Sequence, residues 1–148
     1  MNTLSGHMEA AAHVFPVRVY YEDTDAGGIV YYANYLKFAE RARTELLRLA
    51  GVDQSAMAAR FGAGFAVREC NVDYRRPAYL DDLLQVRSRL TAMSGAALHA
   101  EQCIQRGDEE LTRLGLRVVC LRRDGRPTRI PAPVRQALEP YVTSREYA

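Results

Sequence analysis

Two aspartates and two glycines stand together ahead of a helical pattern: Asp23, Asp25, Gly27 and Gly28, within the run Tyr21 to Tyr31. A carboxylate in such a place can attack a carbonyl carbon or take a proton from water. Gly27-Gly28 permits a tight bend and a close approach of ligand to backbone. Asn34 is the expected N-cap of the helix that follows. In that helix Tyr35, Phe38, Ala39, Ala42, Leu46 and Leu49 recur as one stripe of 3.6-residue period. Its N-terminus would offer unpaired N–H groups and a partial positive charge to a developing oxyanion. The constellation suits acyl transfer to water, with Asp25 as nucleophile or general base. In the alternative reading Asp23 and Asp25 only cap the turn; Asp23 is expected to be structural in either case.

The elements that must position this turn follow from periodicity. Val17, Val19 and Tyr21 alternate with Arg18, Tyr20 and Glu22, which predicts a strand running into it. Gly51-Val52 stops the long helix, and Gln54 to Phe61 extends to another turn or two before Gly62 and Gly64. Phe65 and Val67 share one parity and Cys70, Val72 and Tyr74 the other, so a β-bulge is expected near Arg68-Glu69. Three strands in an antiparallel meander follow, marked by Leu84-Val86-Ser88-Leu90, Leu98-Ala100-Gln102-Ile104 and Leu114-Leu116-Val118-Cys120, each set at every second position. A short docking helix is expected after Pro131 and Pro133. One long apolar helix among antiparallel strands is buried efficiently by a sheet wrapped around it. The prediction is an α+β chain with a five-stranded antiparallel sheet around one long central helix, in a single domain from residue 14 to 148 behind a flexible lead of residues 1–13.

Composition narrows the function. The chain has 148 residues, enough for one core, and 48% of them are hydrophobic against 26% charged, as in a globular protein. No apolar run approaches the ~20 residues of a spanning helix, and the first residues lack the pattern of a signal peptide; a cytoplasmic protein is expected. A net charge of +2 gives no ground for nucleic-acid binding. Cys70, Cys103 and Cys120 show no CxxC spacing and read as reduced core residues, so no metal or other cofactor is expected. Glu40 is a second candidate carboxylate, although Arg41 and Arg43 beside it argue for a solvated or ion-paired helix face. Phe65 and Val67 are candidates for an acyl pocket or for plain core. Arg75, Arg76, Arg122, Arg123 and Arg126 stand at strand ends, where phosphates could be met.

The run Tyr21-Glu22-Asp23-Thr24-Asp25-Ala26-Gly27-Gly28-Ile29-Val30-Tyr31, with Asn34-Tyr35 and Glu40 to Glu45 behind it, resembles the hotdog-fold acyl-CoA thioesterases. The nearer likeness is to the YbgC type, the Tol–Pal-associated branch of the 4-hydroxybenzoyl-CoA thioesterase family, and it extends from about Val14 to Arg123. The resemblance implies an acyl-CoA thioester hydrolase in which Asp25 is catalytic and the Tyr32 backbone N–H polarises the thioester. It implies a supporting role for Tyr21, which otherwise reads as a core aromatic, and substrate contacts at Gly28, Ile29, Val30, Phe65, Val67, Arg75 and Arg76. Tyr32 stands where YbgC-type members often carry His and the 4-hydroxybenzoyl-CoA branch carries Tyr. A homodimer or homotetramer is implied, with an acyl-carrier protein or phospholipid-synthesis enzymes as further partners. The alternative is a non-catalytic module on the same fold that binds acyl-CoA or acyl-carrier protein.

Overall fold

The computed structural model describes residues 3–143. Three strands, β4 (Leu83–Met93), β5 (Ala97–Arg106) and β6 (Glu109–Arg122), form the expected antiparallel meander. Their every-second-residue sets point inward as the sequence indicates: Leu84, Val86, Ser88 and Leu90 are buried, and so are Ala100, Gln102, Ile104, Leu114 and Leu116. The strand β3 (Ala63–Tyr74) pairs with β6, and its register shifts between Val67 and Glu69, where the bulge was expected. The bulge lets Phe65 and Val72 both pack against the core although they lie at opposite parities.

The sheet has six strands rather than five, in the order β1 (His7–Glu9), β2 (Ala12–Arg18), β4, β5, β6, β3. The extra strand, and the earlier start of the first expected one, come from the N-terminal residues expected to form a lead. β1 and β2 make a small hairpin, and β2 pairs with β4 through Val14↔Arg87 and Val17↔Leu84. Burial of Ala12, His13 and Val14, with Met8 packed on the core, ties this segment down. β2 therefore begins earlier than the alternation from Val17 to Glu22 indicates, and ends at Arg18. Beyond it Val19 still bonds across to the 81–82 segment, its N–H to Asp82 O at 2.9 Å. Tyr21–Asp23 then turns as a 3-10 helix instead of continuing the strand.

Helix α1 (Asn34–Leu49) buries Tyr35, Phe38, Ala39, Ala42, Leu46 and Leu47 in one core with Val17, Leu84, Val86 and Leu90 of the sheet. Phe38 is fully buried, and truncating such a ring to Ala costs about 3–5 kcal/mol. Leu47 rather than Leu49 completes the buried stripe. The N-cap is Ala33, not Asn34, because the Asn34 side chain is used elsewhere: its Nδ2 donates to Asp23 O at 2.8 Å. Gly51, with φ 94°, turns the chain out of α1 in a conformation that side-chain-bearing residues rarely adopt. α2 (Gln54–Phe61) follows, capped by the Asp53 carboxylate, which accepts the Ser55 N–H at 2.9 Å. α3 (Ala132–Leu138) docks through Val134 and Leu138. Of the three cysteines, expected in the core, Cys120 is buried and Cys103 half-buried, but Cys70 is exposed on β3. No helix among the described residues is long and apolar enough to cross a membrane.

Candidate active site

The turn from Asp23 to Tyr31 is built from its first aspartate. Asp23 is 7% exposed, and its Oδ2 accepts the Tyr20 N–H at 2.8 Å. Its carbonyl accepts twice, from the Tyr31 N–H at 2.9 Å and from Asn34 Nδ2. Asp23 thus joins the end of β2 to the start of α1. Between these anchors the chain doubles back: Asp25 N–H donates to Ile29 O and Gly28 N–H to Asp25 O, with Gly28 at φ 81°. The loop is pinned from outside by Val30 N–H donating to Ala78 O at 2.9 Å. Buried Tyr35 accepts the Ala78 N–H on its hydroxyl, and burial pushes that phenol upward in pKa.

Asp25 projects from the loop. Its carboxylate is exposed and accepts one hydrogen bond, from the Gly27 N–H to Oδ1 at 2.8 Å. The other oxygen has no partner among the described residues, which leaves it available for chemistry. A Cβ placed on Gly27 would lie 3.2 Å from Oδ1, so glycine there gives the carboxylate its room.

Tyr32 precedes α1 by two residues. The Tyr31 carbonyl points into the helix start and accepts the Asn34 N–H at 2.8 Å. In a planar trans peptide the N–H points opposite to the C=O, so the Tyr32 N–H is aimed away from the helix. It has no acceptor among the described residues. Tyr74 at the end of β3 donates its hydroxyl to Tyr32 O at 3.0 Å and meets the Tyr32 ring edge-on at 6.1 Å. The next peptide is thereby held as well. Tyr32 itself is 62% exposed.

Other expected residues fall into place unequally. Gly28, Ile29 and Val30 share the Asp25 loop. Tyr21 is 82% exposed, which rules out the core reading, and its hydroxyl has no partner among the described residues. Arg75 pairs with Asp73 and Glu110, and Arg76 with Glu109, so these charges are already matched within the chain. Arg122 pairs with Asp124, while Arg123 donates to Ala58 O at 3.4 Å.

Phe65 and Val67 line a cavity of about 210 Å³ between α1 and the sheet, together with Glu40, Leu46, Leu90 and Leu98. None of the Asp25 loop residues lines it. Its polar wall was not foreseen. Arg43, assigned by its neighbours to a solvated helix face, turns toward the sheet and donates Nη1 to Gln102 Oε1 at 2.9 Å. Gln102 in turn donates Nε2 to Ala39 O and to Ser88 Oγ, each at 2.9 Å. A signal for this existed. Arg43 is four residues after Ala39 and three before Leu46, on the flank of the buried stripe, and Ser88 and Gln102 occupy inward-facing strand positions.

Residues 19–138 match the family described as the thioesterase-like superfamily. The chain belongs to that superfamily. The acyl-CoA thioesterase YbgC of Haemophilus influenzae is 45% identical over 107 residues, 72% of this chain and 79% of that protein. The acyl-CoA thioester hydrolase YbgC of Escherichia coli O6:H1 is 50% identical over 97 residues, 66% of this chain and 72% of that protein. A probable thioesterase from Bartonella henselae has the same fold in its crystal structure, with a TM-score of 0.78 at 36% identity over 81% of this chain and 99% of that one. The resemblance to YbgC-type, hotdog-fold thioesterases drawn from residues 21–45 is thereby borne out.

Proposed function

We propose that this protein hydrolyses acyl-CoA thioesters to free acid and CoA, with Asp25 as the reacting carboxylate and the Tyr32 N–H as the oxyanion donor. The observation that carries the reading is the presence, in and directly after one pinned loop ahead of α1, of a carboxylate oxygen and a backbone N–H that have no partner among the described residues. Helix α1 adds its partial positive charge at the same end. As nucleophile, Asp25 would bond through Oδ to the thioester carbon, and CoA would leave as thiolate. Water would then open the mixed anhydride and restore the carboxylate. As general base, Asp25 would take the proton of a water that attacks the same carbon directly. Either route needs little help for the leaving group, because a thiol of pKa about 8.5 departs readily.

The reading takes α1 as the central helix of a hotdog sheet and the active unit as at least a dimer. β3 supports this: its twelve residues form one outer edge of the sheet, and most of them are exposed. A long open edge invites a further strand, and a second copy of the chain supplies one. The test of function is thiol release by purified protein from a panel of short, long and aromatic acyl-CoAs. Turnover of at least one above a protein-free control is expected. Tight binding with no thiol released from any of them would identify a binding module instead.

A further inference from the structure

We infer that the cavity beside α1 selects acyl groups that end in a carboxylate, and that Arg43 reads that end; the assignment of the cavity to the acyl group rests on the thioesterase reading. Most of the lining is apolar, from Leu46, Leu47, Phe65, Leu90, Leu98 and Val118. Into this lining projects one permanent cation. A guanidinium carries five N–H donors, and Arg43 uses one of its nitrogens, on the neutral oxygen of Gln102. No carboxylate among the described residues forms an ion pair with it. Glu45, two residues on, pairs with Arg48 instead. Burial lowers the pKa of Arg43, and the charge of Glu40 opposes that without cancelling it.

The wall behind the guanidinium is fixed. Gln102 and Ser88 face each other across β5 and β4 and are 3% and 1% exposed. The bond to the Ala39 carbonyl and the one from Arg43 would both be lost if the Gln102 amide turned over, so its oxygen is held toward Arg43. The remaining N–H groups of Arg43 are thus presented to the cavity in a stable orientation. A carboxylate matches that fork in charge and in geometry, and such bonds are roughly twice as strong as neutral ones. A cavity of roughly 150 Å³ holds a benzene molecule. The present 210 Å³ therefore accepts a chain of about eight heavy atoms, the size of the acyl part of a short dicarboxylic acid. Glu40 is the opposing charge, on an exposed position of the lining, and it weakens rather than abolishes the site.

The test uses two unreactive thioethers of equal length, S-(5-carboxypentyl)-CoA and S-hexyl-CoA, titrated calorimetrically into the full chain. The wild type is expected to bind the carboxylated ligand at least ~10-fold more tightly, the scale of one charge-assisted hydrogen bond. Arg43→Met should erase the difference, and Glu40→Gln should widen it. Equal affinities in the wild type, binding of neither ligand, or a preference that survives in folded Arg43→Met would overturn the inference. The wild-type comparison stands even if Arg43→Met does not fold. Turnover of hexanoyl-CoA without a carboxylate preference would sink this inference and leave the thioesterase reading intact. A thioether preference with no turnover of any acyl-CoA would do the reverse.

Discussion

Replacing Asp25 by Asn separates chemistry from architecture, because the structure gives this carboxylate so little structural work. Its single acceptor bond is to Oδ1 from the Gly27 N–H, and Asn presents a carbonyl oxygen of the same reach. The side chain is exposed, so no desolvation is altered. The expected stability change is that of an ordinary surface substitution, within about 0.5 kcal/mol, or under about 2 °C in Tm for a chain of this size. The amide, by contrast, can neither form an anhydride nor accept a proton from water at neutral pH. A kcat loss of at least ~10²-fold is expected, or about 2.7 kcal/mol of transition-state stabilisation. Thiol release from the best acyl-CoA, set beside a thermal melt, reads both quantities. Blanks are required because Cys70 is exposed, and an accessible thiol can react with thiol reagents. Asp23→Asn is the contrasting variant. An amide there leaves a buried N–H₂ facing the Tyr20 N–H or lacking an acceptor, at about 1–3 kcal/mol, so Tm should fall by roughly 3–10 °C. A folded Asp25→Asn enzyme with near wild-type kcat would refute the mechanism, and Glu40 would be the next carboxylate to test.

Three further outcomes are expected. Tyr32→Phe keeps the backbone N–H and should keep most of kcat, with changes mainly in acyl preference; a hundredfold loss would assign the chemistry to the hydroxyl. Light scattering at assay concentration should find a dimer or larger, and a fully active monomer would disprove the role given to the β3 edge. Stability should also depend on His13, which is fully buried with Nε2 at 2.6 Å from Ser5 O and with Nδ1 lacking a partner among the described residues. Desolvation lowers its pKa below 6.5 in the folded chain. The unfolded chain then binds the proton first, so this contribution is complete above about pH 6.5 and declines as pH falls toward the folded value. Thermal melts at pH 8 and pH 5.5 should show the loss in the wild type and a smaller one in His13→Gln; equal losses would place the titration elsewhere.

Periodicity and local chemistry made much of the molecule legible. The meander, the bulge beside Glu69, α1, α2 and α3 all follow from spacing that only one backbone geometry can satisfy. The Asp25 loop was legible for a similar reason, since two glycines beside two aspartates ahead of an amphipathic helix leave few conformations. What the sequence could not decide were contacts between residues far apart in the chain. β1 and the start of β2 have no clean alternation; β1 is ordered by pairing with β2, β2 by pairing with β4, and His13 is buried against Ser5. Asn34 has the chemistry of an N-cap but is drawn to a carbonyl eleven residues earlier, where it secures Asp23 instead. Arg43 shows the division most plainly. Its neighbours Glu40 and Arg41 mark a solvated face, yet Gln102, 59 residues away, offers an oxygen on the inner side of the sheet. Propensity and pattern act over a few residues and so can be read along the chain. The partner of a buried polar group depends on which strands the tertiary fold brings within 3 Å of it.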